Sequence, residues 1–327
     1  MTPLETYLKA VREIRSSGEA VPETSYYGAF ETLVNDIGET LQPRVRCVIN
    51  IRNRGAGIPD GGFFTADQLT KSLPDHSQPG WGGQVPVRGV LELKSAKEDV
   101  GEIVKLPQVM GYLYKYSQVL ISNFRQFLLV GRDSAGNAVK LEPYTLAETD
   151  SAFLEAMTHP QKAKAIHEKR LTEYLKRVML SAAELRLPEN LAWLLASYAR
   201  DALERIHDAD ISDLKDIREK LQAFLGISFG GEQGEHFFRS TLIQTIFYGV
   251  FAAWVLWSRE KQAARVSMTD RFDWRVTGFK LQVPVLKKLF GLVATGSNLE
   301  AFKLTEILNW AGGALNRVNR DDFFQNF

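Results

Sequence analysis

The sequence predicts an α/β unit built around a mixed sheet, followed by an all-helical domain. Three observations carry that reading. The first half of the 327-residue chain alternates short period-2 apolar runs with amphipathic helical patterns. From about Glu148 onward every apolar pattern is long and helical, with no repeat period and no low-complexity tract. A hydrophobic content of 45% beside 24% charged residues is that of a folded chain, and the length suits two domains. The expected boundary gives domains 1–147 and 148–327.

Each element has its own signal. "TSYYGAFETLVNDIGETL" opens at a cap, Thr24 or Ser25, and brings Phe30, Leu33, Val34 and Ile37 to one helical face. "RVRCVINI" alternates, with Val45, Cys47, Ile49 and Ile51 on one side and Arg44, Arg46, Val48 and Asn50 on the other. Gly55, Gly57, Pro59, Gly61 and Gly62 then set Asp60 at a turn or on a short distorted strand. The Gly/Pro-rich excursion 65–86 reads as a long surface hairpin loop. "VRGVLELKSA" is the next strand. "LPQVMGYLYKY" is a short helix with Pro107 at its first position, where a missing N–H costs nothing. "SQVLIS", "QFLLVGR" and "AVKLEPYTL" are further strands, with turns at "NF" and "DSAGN". Long helical runs follow, from "HPQKAKAIHEKRLTEYLKRVMLSAAEL" to "NLEAFKLTEILNWAGGALNRV", with Trp193, Trp254, Trp257 and Trp310 as helical core.

Composition excludes several classes. The single cysteine, Cys47, leaves no disulfide framework and no multi-cysteine metal site, and the five histidines have no zinc-ligand spacing. The N-terminus lacks an apolar signal core, so the expected location is cytoplasmic. Ser240 to Ser258 is uncharged and about long enough to cross a bilayer, but its first half is polar, and we read it as a core helix rather than a membrane span. A formal net charge of +1 argues against indiscriminate nucleic-acid binding by the whole surface but leaves room for a basic cleft. There is no P-loop motif. The chain stops at "DDFFQNF" without a polar tail, which suggests a natural protein that continues.

One strand breaks the apolar rule. "GVLELKSA" reads as buried, yet carries Glu92 and Lys94 on the same side, and an unpaired buried charge is expensive. Glu-x-Lys alone is common, and an edge ion pair would satisfy it; Asp60 alone is an ordinary turn residue. The order matters more. A helix with Glu31, a strand, Pro59–Asp60, Glu92-x-Lys94, then a helix with Gln108 and Tyr112 at i, i+4 resembles the PD-(D/E)xK nuclease superfamily, in the subset found in restriction enzymes and recombination exonucleases. "YYGAFETLVNDIG", "VRCVINIRNRGAGIPDGGFFT", "GVLELKSAKEDV" and "LLVGRD" are similar to the N-terminal nuclease of single-chain restriction–modification enzymes, and "FFRSTLIQTIFYGVFAAWVLWSR" to the helical connector before their DNA adenine methyltransferase.

That resemblance implies a restriction-endonuclease-like core and a Mg²⁺-dependent deoxyribonuclease, with Mn²⁺ as a substitute. In it Asp60 and Glu92 hold the metal, and Glu31 completes its shell through water. Lys94 orients the attacking water or stabilises the transition state, and Gln108 and Tyr112 shape the pocket or touch the DNA backbone. No organic cofactor is implied. The partners implied are double-stranded DNA, methyltransferase and target-recognition regions in the same or another chain, and a second copy for cutting both strands. Here the chain departs from the whole enzyme: it has no Asn-Pro-Pro-Tyr-type motif and no glycine-rich methyl-donor loop. A DNA repair or recombination nuclease with the same site, and a non-catalytic DNA-binding or assembly module, are the other readings. Weaker candidates for phosphate contact are Arg44, Arg46, Arg52, Arg54, Lys97 and Lys105; His76 and Trp81 stand in the excursion.

Overall fold

The computed structural model of the chain describes residues 1–69, 84–133, 136–207, 211–263, 271–277, 281, 284–293 and 304–325. His76, Trp81 and most of the 65–86 excursion lie outside these residues, as does part of the "DSAGN" turn. The chain forms two compact units, Met1–Ala183 and Glu184–Phe327, rather than dividing at 147/148.

The first unit holds a mixed six-stranded sheet with its strands in sequence order: β1 Val45–Ile49, β2 Gly61–Thr65 (followed by the one-turn helix α3, Ala66–Leu69), β3 Val90–Leu93, β4 Val119–Ser122, β5 Gln126–Arg132 and β6 Ala138–Thr145. All pairs are antiparallel except β3 with β4. A parallel pair needs a crossover. It is supplied here by α4 (Val100–Ile103), whose Asp99 cap accepts from the Gly101 N–H, and α5 (Pro107–Tyr116). The α5 face made by Val109, Tyr112, Leu113 and Tyr116 is buried against Val90, Val119, Ile121, Leu128 and Val130.

The other face of the sheet is covered by α1 (Pro3–Ser16), α2 (Tyr27–Gly38) and α7 (Pro160–Leu180). Phe30 of α2 stacks on Phe127 of β5, and Tyr7 and Phe124 meet its edge. Tyr174 of α7 packs on the same Phe127. Buried Arg177 of α7 also pairs with buried Glu142 of β6 at 2.9 Å. These contacts explain the later boundary: α7, and α6 (Asp150–Thr158) with its Thr149 cap, belong to the sheet's helical layer. Helix α1 fills positions for which the sequence reading named no element.

The regular elements of the second unit are helices among its described residues, with an isolated bridge between Leu185 and Val318. Its helices are α8 (Pro188–His207), α9 (Ile211–Leu225), α10 (Gly231–Ala263), α11 (Trp274–Thr277), α12 (Pro284–Val293), α13 (Leu304–Leu315) and α14 (Arg320–Gln325). Among the described residues α10 is the one helix long and apolar enough to cross a membrane. Its Phe238, Leu242, Ile246, Val250 and Trp254 lie in the unit's core, with Trp193, Trp257 and Trp310 packed around it.

Candidate active site

Sheet register brings the two carboxylates together. β2 and β3 pair with Gly61 opposite Leu91 and Gly62 opposite Val90, so one residue further Asp60 stands opposite Glu92. Asp60 is held on three sides. Its Oδ2 accepts the Leu93 N–H at 2.7 Å, its Oδ1 accepts the Tyr27 hydroxyl at 2.7 Å, and its own carbonyl accepts the Asn50 N–H at 2.7 Å.

Glu92 is 2% exposed and lies on the α5 side of β3, as the strand alternation requires. Its Oε1 accepts the Lys94 ammonium at 2.6 Å and the Gln108 side-chain amide. The same ammonium donates to the Leu93 carbonyl at 3.1 Å. Burial pushes the Glu92 carboxyl up to about 7; the charges of Asp60 and Glu23 add to this, and Lys94 opposes it. Burial works against the Lys94 ammonium too. Its bond to Glu92 and the charges of Glu92, Glu23 and Asp60 outweigh that, leaving its pKa above the ordinary lysine value. The site therefore concentrates negative charge that one lysine does not fully compensate.

Gln108 and Tyr112, one turn apart on α5, each brace one carboxylate-bearing segment. Gln108 holds Glu92 directly. The Tyr112 hydroxyl donates to the Ile58 carbonyl at 2.9 Å, two residues before Asp60. Gly57 lets the loop pass there: its φ is +99°, and a Cβ would lie 3.3 Å from the Tyr112 ring. Burial, then the charges of Glu92 and Asp60, raise the Tyr112 phenol, so it remains a donor. Lys94 is partly exposed and Gln108 exposed, so the site opens to solvent on this side.

Glu31 is the residue expected to reach a metal through water. It lies half-buried on α2, and its charge acts on the Cys47 thiol, which burial raises first. Among the described residues no three His, Cys, Asp or Glu side chains gather as a metal cluster, so Glu31 does not join Asp60 and Glu92 directly. The carboxylate reaching this site is Glu23, whose Oε1 accepts the Tyr27 hydroxyl at 2.9 Å. Sequence reasoning missed Glu23 and Tyr27; their i, i+4 spacing just before Glu31 was the available signal.

The basic candidates are less concentrated. Arg44 pairs with Glu39 and Lys105 with Glu102, both exposed pairs of the kind worth little. Arg46 and Lys97 are exposed. Arg52 and Arg54 stand on the segment leading to Asp60, and the charge of Arg54 acts on Tyr116.

No protein-family model matches this chain, and no curated protein matches it. Among solved structures, the chain is similar to one from a cryo-EM structure of a DrdV–DNA complex, at 15% identity and a TM-score of 0.32. The match covers 94% of this chain and 26% of that one, so this chain spans only part of that protein's length. At that score the likeness establishes neither a shared fold nor a shared activity.

Proposed function

We propose that the first unit is a divalent-cation-dependent endonuclease module that hydrolyses phosphodiester bonds of double-stranded DNA within a cytoplasmic restriction–modification system. The observation that carries this reading is the meeting of Asp60, Glu92 and Lys94 at the β2–β3 junction, with the Lys94 ammonium 2.6 Å from Glu92. A purely structural ion pair needs neither the second carboxylate nor a buried glutamate that burial pushes up to about 7. The donor set fits a hard cation: two carboxylates, with the Leu93 carbonyl already turned toward a positive group. Mg²⁺ takes one or two carboxylates and keeps several waters, and Mn²⁺ accepts the same oxygen ligands. Such a cation, when bound, neutralises charge at a phosphate and lowers the pKa of water.

The chain's own residues have distinct tasks. Asp60 and Glu92 hold the cation. Lys94 stays charged beside them and orients a water or meets developing negative charge. Gln108 fixes Glu92, and Tyr112 fixes the approach to Asp60. The test is conversion of supercoiled plasmid by the intact chain with Mg²⁺ or chelator, for wild type and for Asp60→Asn, Glu92→Gln and Lys94→Ala. Cleavage that needs metal and is lost in all three variants is expected. DNA binding without cleavage would instead leave a non-catalytic module.

A further inference from the structure

Tyr27 makes a contact that the site's chemistry has not yet used. It is the first residue of α2 and is buried. Its hydroxyl lies 2.7 Å from Asp60 Oδ1 and 2.9 Å from Glu23 Oε1. A phenol carries one hydrogen. Two carboxylates compete for it, and it satisfies only one at a time. Burial, followed by the bond to Asp60, raises the Tyr27 phenol far above its ordinary value, so that hydrogen is present at any working pH.

We propose that Tyr27 is a positioning residue that, by giving its one hydrogen to Asp60, sets the orientation of the Asp60 carboxylate and through it the cation affinity of the site. The inference rests on the reading of Asp60 and Glu92 as cation ligands. Asp60 has two oxygens and two fixed donors: Leu93 N–H on Oδ2, from the strand carrying Glu92, and Tyr27 on Oδ1, from the helix. Together they leave the carboxylate little freedom to rotate. The helix that carries Tyr27 is anchored one turn on, where Phe30 is buried in the aromatic cluster. Partners that orient ligands in this way typically govern roughly 10- to 100-fold in metal affinity. Glu23 is the competing acceptor, and its charge also acts on both Glu92 and Lys94, adding to the negative field of the site.

The test uses the full chain and Mn²⁺, with free Mn²⁺ counted by its electron paramagnetic resonance signal in the absence of DNA. Tyr27→Phe removes the hydroxyl and keeps the ring; it is expected to weaken binding roughly tenfold or more, with an unchanged circular dichroism spectrum. Asp60→Asn tests the underlying reading and is expected to lose the site. Wild-type affinity in Tyr27→Phe, with loss in Asp60→Asn, overturns the positioning role and leaves the cation site standing. Wild-type affinity in Asp60→Asn overturns the cation site and this inference with it. Should Tyr27→Phe fail to fold, 3-fluorotyrosine at position 27 gives a second measurement. Its ¹⁹F resonance is expected to move during a Mg²⁺ titration that saturates the site, and a stationary resonance refutes the role.

Discussion

The buried Glu92 carboxyl makes a stability prediction that needs neither DNA nor activity. Its pKa lies at about 7 in the folded chain against an ordinary 4.5. Between those values the folded state holds a proton that the unfolded state has lost. The folded state therefore binds more protons, and stability falls as pH rises through this window. The gap of about 2.5 pH units, at about 1.4 kcal/mol each, amounts to about 3.5 kcal/mol, expressed as pH rises past 7 and absent below about 4.5. For a unit the size of Met1–Ala183 that is a shift in Tm of about 7–14 °C.

The perturbation is Glu92→Gln, which keeps the shape and an acceptor oxygen but cannot titrate. Its constant offset from wild type is not the prediction, because Lys94 also loses a charged partner. What matters is that the variant gains on wild type by about 3.5 kcal/mol between pH 4.5 and 8. Tryptophan fluorescence is the wrong probe, since five of the six tryptophans, Trp193, Trp254, Trp257, Trp274 and Trp310, stand in the second unit. Hydrogen exchange of peptides from β3 to β5, measured with chelator across the pH series, reads the right unit. Parallel curves for the two proteins would refute the reasoning: Glu92 would then be compensated by Lys94 and Gln108, and the site would hold no excess negative charge.

Three other outcomes follow from the same unit. His167 accepts or donates at Nδ1 to the Tyr144 hydroxyl at 3.0 Å, and burial, then Arg170, lowers its pKa; its contribution is intact above about pH 6.5 and is lost as pH falls through the lower folded value, a loss that His167→Gln should remove from the pH–stability curve. Gly89, at φ +91°, enters the strand that carries Glu92, and a Cβ there would lie 2.5 Å from the Gln118 side chain. Gly89→Ala should therefore cost about 1–3 kcal/mol by urea denaturation, and a neutral result would contradict the crowding. Arg177→Met strands the buried Glu142 charge and should cost about 3–5 kcal/mol, whereas Arg177→Met with Glu142→Leu should recover most of it; equal loss in both would mean that packing, not charge, dominates there.

Part of this architecture was legible in the chain: β1 alternates, and α5 repeats Val109, Tyr112, Leu113 and Tyr116 around one face. β3 and β4 are buried at every position and show as apolar runs rather than as a period, and β2, equally buried, was legible only as a turn or short distorted strand at Asp60. Helix α1 carries an equally clear pattern, Leu4, Tyr7, Leu8 and Val11, in a segment whose lack of a signal core says nothing about a soluble amphipathic helix. The compact units divide later than 147/148 for a different reason. Periodicity reveals that α6 and α7 have apolar faces, not which surface those faces cover, and here it is the layer containing α1 and α2.

The same distinction separates Glu31 from Tyr27. Both stand on one face of α2, four residues apart, so a helical pattern cannot tell them apart. They differ in height along the helix by about 6 Å, at 1.5 Å per residue. Which turn overlies the end of β2 depends on how far the helix slides along the sheet, and that is fixed by Phe30 packing on Phe127 and Phe124, contacts remote in sequence. Reading by residue type favoured the carboxylate, Glu31, because a phenol does not announce itself as part of an acidic site. The packing selects the earlier turn, and there Asp60 meets a hydroxyl whose other neighbour is the carboxylate of Glu23.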